Sequence, residues 1–266
     1  MLFYFYPFHI DDLNNVDRVR TVGKVAELEN AIKRNPITGR TGIAHTRWAT
    51  HGKPSQANAH PHVCRKSVAV VHNGIIENHE LLRKTQSESG HAFTSETDTE
   101  VIVHQIYDYQ TEGKDLLEAV RLTTNDLHGA YALGVISNKE QHRIIAARRG
   151  SPLVIGVGIG EHFIASDVAA LLPVTQRFIF LEDGDIARVT RDSVTIFDRN
   201  RQIVERPVLV STLSDAETEL EGYAHFMKKE IHEQTRAITE TLEGRLGANT
   251  VLEIPFGEHA KEIFDA

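Results

Sequence analysis

Residues 129–197 read as one strand after another: AYALGVIS, RIIAARR, PLVIGVG, HFIAS, RFIFLEDGDIARV and SVTIF, with Gly, Asn and Asp at the breaks. The preceding stretch has a different period. Residues 78–89, 97–110 and 114–127 read as three consecutive helices. In the second, Thr97 and Glu100 have the spacing of a capping box, and Ile102, Ile106 and Tyr109 share a face. Residues 41–49 and 67–72 read as buried strands, the latter carrying the apolar run VAVV. Val25, Leu28 and Ile32 mark a short helix that stops at Asn35-Pro36. Strands, then adjacent helices, then strands again describe an α+β layered fold and not alternating βαβ units.

A chain of 266 residues can bury a sizeable core. Residues 1–216 carry the layered pattern. Residues 217–246 are charged, mostly helical and polar on several faces, which suits a linker. Residues 247–266 form no self-sufficient unit and read as the start of a further domain. The net charge of −8 has the wrong sign for a nonspecific binder of nucleic acid or of an anionic membrane. Cys64 is the one cysteine, so no intrachain disulfide forms and a reducing, cytoplasmic setting is expected. The opening MLFYFYPFHI is too short to span a bilayer, lacks a basic lead and is broken by Pro7.

Three short stretches concentrate polar chemistry. In HTRWATHG (45–52), Arg47 offers a planar fork that matches a carboxylate in two parallel hydrogen bonds. In HNGIIENH (72–79), Asn73-Gly74 follows a buried strand, where a turn presents a side-chain amide beside a backbone N–H, the geometry of an oxyanion hole. In SETDTE (95–100), Asp98 sits in the first turn of a helix and can meet an ammonium group. Taken singly, these are a surface arginine, a tight turn and a helix-start acid. Together they outline a pocket for a zwitterionic amino acid with a reactive carbonyl. His45, His51, His60, His62 and His72 crowd the same region, but without HExxH spacing or a cysteine partner, so no metal and no cofactor is assigned. GVGIG (156–160) completes no dinucleotide fingerprint and reads as a hairpin. Cys64, in HVCRKS, reads as a solvent-accessible structural cysteine of a loop.

HTRWATHGKPSQANAHPH, VVHNGIIENHELLR, SETDTEV, GSPLVIGVG, ASDVAALLPVT and FIFLEDGDIA, in that order, resemble the glutaminase domain of class II (N-terminal nucleophile) glutamine amidotransferases. Within it, the runs are most similar to members that pass ammonia to fructose 6-phosphate in amino-sugar biosynthesis. HFMKKEIHEQTRAI is similar to the segment leading into their sugar-isomerase half. The resemblance implies a four-layer αββα sandwich, here with its first strand missing or altered, since residues 1–10 match nothing in the family. It implies that Arg47 holds the α-carboxylate of L-glutamine or L-glutamate and Asp98 its α-ammonium. Trp48, Thr50, His51 and Gly52 would shape the pocket, and Asn73 and Gly74 would form the oxyanion hole. The family's N-terminal cysteine, whose own α-amine is its base, has no counterpart at Met1-Leu2-Phe3. The chain is therefore expected not to hydrolyse glutamine, and fructose 6-phosphate is expected to bind only through an isomerase half. A homodimer stays open.

Overall fold

The computed structural model describes residues 8–10, 16–36, 39–47, 53–211, 222–242, 245, 251 and 264. In chain order the elements are β1 (Phe8–Ile10), β2 (Val16–Asp17), α1 (Val25–Arg34), β3 (Thr41–Ile43), β4 (His62–Cys64), β5 (Val68–Ile76), α2 (His79–Glu88), α3 (Thr99–Thr111) and α4 (Leu116–Asp126). They continue with β6 (Gly129–Ser137), β7 (Arg143–Arg149), β8 (Val154–Val157), β9 (His162–Ala165), β10 (Arg177–Phe180), β11 (Ile186–Thr190), β12 (Val194–Phe197), β13 (Ile203–Val204), β14 (Val208–Val210) and α5 (Phe226–Leu242). By contact clustering, residues 2–214 form one compact unit and residues 215–266 belong to another.

The first unit is an α+β sandwich. Its larger sheet runs β13-β12-β11-β7-β6-β5-β4 and its second sheet β14-β10-β8-β9, with antiparallel pairing throughout. Period-two alternation along the central strands builds both faces. Tyr131, Leu133 and Val135 of β6 pack with Val101, Ile102 and Ile106 of α3 and with Leu116, Ala119 and Val120 of α4. Ala132 of β6, with Ala146, Ala187 and Val189, faces Ile155 and Ile179 of the second sheet. Burying each such aliphatic chain contributes roughly 1.5–3 kcal/mol. Beyond the second sheet, Leu171 and Leu172, which follow a short 3-10 turn at Val168–Ala170, pack on Phe178 and Phe163. A third, small sheet runs β2-β1-β3, so residues 8–10 supply a strand beside β3.

Several details differ from the sequence reading. The strand expected over 41–49 ends at Ile43, and residues 44–47 are irregular. The strand continues for five residues past VAVV, so β5 includes Asn73 and Gly74, which pair with Ala132 and Tyr131 instead of turning. The capping box is absent as well. Asp98 is the residue before α3, while Thr97 Oγ1 lies 3.0 Å from His62 Nε2. The Glu100 carboxylate accepts from the backbone N–H groups of Thr94 and Ser95 and from both hydroxyls. The hairpin expected at GVGIG joins β8 to β9. Among the described residues no helix is long and apolar enough to cross a membrane.

Candidate active site

The site is organised by the end of β5. Gly74 has φ +132°, a region side-chain-bearing residues avoid, and a Cβ built there would lie 2.1 Å from the Ala130 carbonyl oxygen. Only glycine lets β5 approach β6 this closely. Asn73 is therefore fixed in the ladder, opposite Ala132. His45, in the irregular segment after β3, reaches it: Nε2 lies 2.6 Å from Asn73 Oδ1. An amide oxygen can only accept, so His45 carries its proton on Nε2 and donates it. The bond engages the amide oxygen of Asn73 and leaves its Nδ2 as the donor end.

Two residues past Gly74, the backbone N–H of Ile76 donates to Asp98 Oδ2 at 2.8 Å. Asp98 is only 5% exposed. Its Oδ2 is engaged by that backbone donor at the start of the helix, and Oδ1 is its other acceptor. The carboxylate is thus bonded to the same strand, β5, that carries Asn73 and Gly74. Arg47 lies two residues beyond His45 and donates from Nη1 to the Lys53 carbonyl at 3.4 Å.

The loop that follows is fastened on both sides. Arg20 Nη1 donates to the carbonyls of Ala57 and Ala59, each at 3.0 Å. Buried Asn58 exchanges hydrogen bonds with Glu96, donating to its carboxylate and accepting from its N–H, and also donates to Lys53 O. The histidines of this region key the loop and β5 to the start of α3. The Thr99 hydroxyl lies 3.0 Å from both His60 Nε2 and His72 Nδ1. The His45 and His60 rings lie against each other, tilted by 36°, with centroids 4.1 Å apart. Burial holds His45 below its usual value and His60 well below it, with the Arg47 charge adding to both effects. Burial takes His62 down to about 3. Burial thus favours the neutral form of these three histidines, and the guanidinium two positions past His45 is that of Arg47, bonded to the Lys53 carbonyl as Arg18 and Arg20 are to other loop carbonyls.

Of the residues singled out from sequence, Asn73 and Gly74 lie on β5, Asp98 bonds to β5 at Ile76, and Arg47 follows two positions after His45, the residue that bonds Asn73. Trp48, Thr50, His51 and Gly52 lie outside the described residues. Cys64 is a correction. It ends β4, is 1% exposed, and burial pushes its thiol up to about 12. His45 is the residue that sequence reasoning missed as an orienting group. Its partner is 28 positions away, and no local spacing announces it.

A family model described as a glutamine amidotransferase domain matches residues 35–223. Two curated relatives carry the name glutamine–fructose-6-phosphate aminotransferase (isomerizing). That of Shewanella oneidensis is 51% identical over 255 residues, covering 96% of this chain and 41% of its own length. That of Pseudomonas aeruginosa is 54% identical over 255 residues, covering 96% of this chain and 42% of its own length. The chain thus spans about two fifths of the relatives it matches. A solved structure of an allosteric regulatory enzyme of purine biosynthesis shares the fold, with a TM-score of 0.57 at 24% identity over 66% of this chain and 38% of that one.

Proposed function

Because the chain belongs to the glutamine amidotransferase domain family, we propose that its first unit binds L-glutamine, and L-glutamate as product, at the end of β5. Arg47 receives the α-carboxylate through its guanidinium fork, and the Asp98 oxygen not bonded to Ile76 receives the α-ammonium. The side-chain carbonyl then lies against Asn73 Nδ2 and the Gly74 N–H. Two preorganised donors there stabilise the negative charge that develops on oxygen as the carbon becomes tetrahedral. Trp48, Thr50, His51 and Gly52 complete the pocket wall in this reading. The observation that carries it is the His45–Asn73 hydrogen bond, which orients the amide so that it donates.

The relatives' shared name extends the proposal. The chain is the glutamine-handling portion of an enzyme converting L-glutamine and D-fructose 6-phosphate to D-glucosamine 6-phosphate and L-glutamate, in a cytoplasmic amino-sugar pathway. Fructose 6-phosphate is assigned to the part of the relatives' length that this chain does not span. Residues 1–216 serve as the amidotransferase domain, 217–246 as the linker and 247–266 as the start of the sugar half. Cys64 does not supply the nucleophile, being buried with its thiol held protonated. A polypeptide of these 266 residues is therefore proposed to hold glutamine without hydrolysing it. Isothermal titration tests the binding: L-glutamine should give a saturable one-to-one heat that Arg47→Ala removes. An unchanged heat in that variant would overturn the binding assignment, and enzyme-dependent ammonia release would overturn the absence of hydrolysis.

A further inference from the structure

Apart from Asn73, Gly74 and Asp98, three metal-ligating side chains converge from three segments. Cys64 comes from the end of β4, His91 from the stretch after α2, and His104 from the middle of α3. Their ligand atoms all lie within 4.8 Å of one another. Cys64 Sγ is 3.1 Å from His104 Nδ1 and 4.0 Å from His91 Nδ1. In a tetrahedral zinc site, with metal–sulfur bonds of about 2.3 Å and metal–nitrogen bonds of about 2.05 Å, sulfur and nitrogen ligands sit about 3.5 Å apart and two nitrogens about 3.3 Å apart. The two sulfur–nitrogen separations bracket the first of these values, and the 4.8 Å limit contains the second.

We propose that Cys64, His91 and His104 form a binding site for a zinc-class divalent cation. Beyond the distances, two features distinguish it from a chance cluster. The first lies behind the rings. His91 Nε2 is 2.8 Å from Asp108 Oδ1, so that nitrogen donates to the carboxylate and Nδ1 keeps its lone pair toward Cys64. His104 Nε2 lies 3.8 Å from Glu100 Oε1, beyond hydrogen-bond reach, so it is His91 that a carboxylate backs directly. A carboxylate behind a ligating histidine is the usual means of fixing its tautomer and raising its basicity. The second feature is space. A cavity of about 300 Å³, lined by Cys64, His91, Thr94, Glu100 and His104 among others, borders the three ligands and gives a fourth position to water. Glu100 is not that fourth ligand, because four donors from Thr94 and Ser95 already hold its carboxylate.

The charges agree. Asp108 and Glu100 flank the group, and Arg65 at the cavity rim leans over the Tyr107 ring at 5.6 Å. Binding converts the thiol to a metal-bound thiolate and releases its proton to solvent, leaving both histidines neutral. The bound ion joins β4 to α3 and to the segment that leads from His91 to Asp98. The spacing of 27 and 13 positions between ligands (64, 91, 104) matches no short motif, which is why sequence alone gives no sign of it.

Titration of the purified, metal-stripped chain with Co²⁺ tests the proposal. One equivalent should produce a thiolate-to-cobalt charge-transfer band with the visible bands of a tetrahedral ion, and Zn²⁺ should bleach both. Asp108→Asn changes a partly exposed residue that holds His91, and it should weaken binding roughly 10–100-fold. Zn²⁺ should also protect Cys64 of the unaltered chain from alkylation under partly denaturing conditions, a readout that needs no variant. Absence of the charge-transfer band, cobalt held equally well by Cys64→Ser, or a thiol that Zn²⁺ does not protect would each overturn the site.

Discussion

Gly74→Ala should damage the fold far more than its solvent exposure suggests. Two effects add. Holding a side-chain-bearing residue at φ +132° costs about 1–3 kcal/mol in backbone strain. The new Cβ would also stand 2.1 Å from the Ala130 oxygen and 2.7 Å from the Ala130 carbonyl carbon, more than 1 Å inside an ordinary contact. Ala130 belongs to β6, which is paired with β5 along nine positions and with β7 on its other side, so it cannot retreat without moving the central sheet. Forcing such a shift adds about 1–3 kcal/mol. The total of about 2–6 kcal/mol is a large share of a domain's usual margin of 5–15 kcal/mol. Gly113→Ala is the control. Gly113 also has positive φ, at +90°, and is exposed, but a Cβ there meets nothing within 4 Å. Urea unfolding should place the midpoint of Gly74→Ala well below that of Gly113→Ala at similar slope. Equal losses for the two variants would refute the argument that close approach, and not φ alone, demands glycine at 74.

Asp98→Ala should lose about 1–3 kcal/mol, because it strands the Ile76 N–H in a buried position; Asp98→Asn keeps an acceptor there and should retain most of the stability while losing affinity for a zwitterionic amino acid. Chemical denaturation of the two variants separates these effects, and equal stability of Asp98→Ala and wild type would count against the bond. Acid should destabilise the chain through its buried histidines. The folded-state values of His45, His60 and His62 lie below the 6.5 of an unperturbed ring, and that of His62 reaches about 3. Below pH 6.5 the unfolded chain therefore binds more protons than the folded one. The stabilisation is complete above that pH and is lost as pH falls, by up to about 1.4 kcal/mol per pH unit for each histidine. Stability measured at pH 7.5, 6.5 and 5.5 should be flat over the first step and drop over the second; a rise on acidification would contradict the burial.

The layered order was legible because period-two and period-3.6 patterns alternate cleanly along residues 78–197. Two local signals misled for one reason: a partner distant in sequence outcompeted a nearby one. Asn-Gly is strong turn chemistry, yet the ladder with β6 carries it as strand. Thr97 and Glu100 have capping-box spacing, but His62 engages one, while Thr94 and Ser95 hold the other. The site residues Arg47, Asn73 and Asp98 could be named from motif and resemblance. Their organisation could not, since it rests on pairings 28 and 22 positions apart. Cys64 looked like a loop cysteine because HVCRKS is polar around it, whereas β4 turns it inward, to within 3.1 Å of His104.

A crystal structure of the chain grown with L-glutamate tests the central claim most directly. The account predicts one molecule at the end of β5, its α-carboxylate on the Arg47 guanidinium, its ammonium on Asp98 and its side-chain oxygen within hydrogen-bond reach of Asn73 Nδ2. Glutamate bound elsewhere, or bound there with the Asn73 amide turned so that its oxygen faces the ligand, would contradict it.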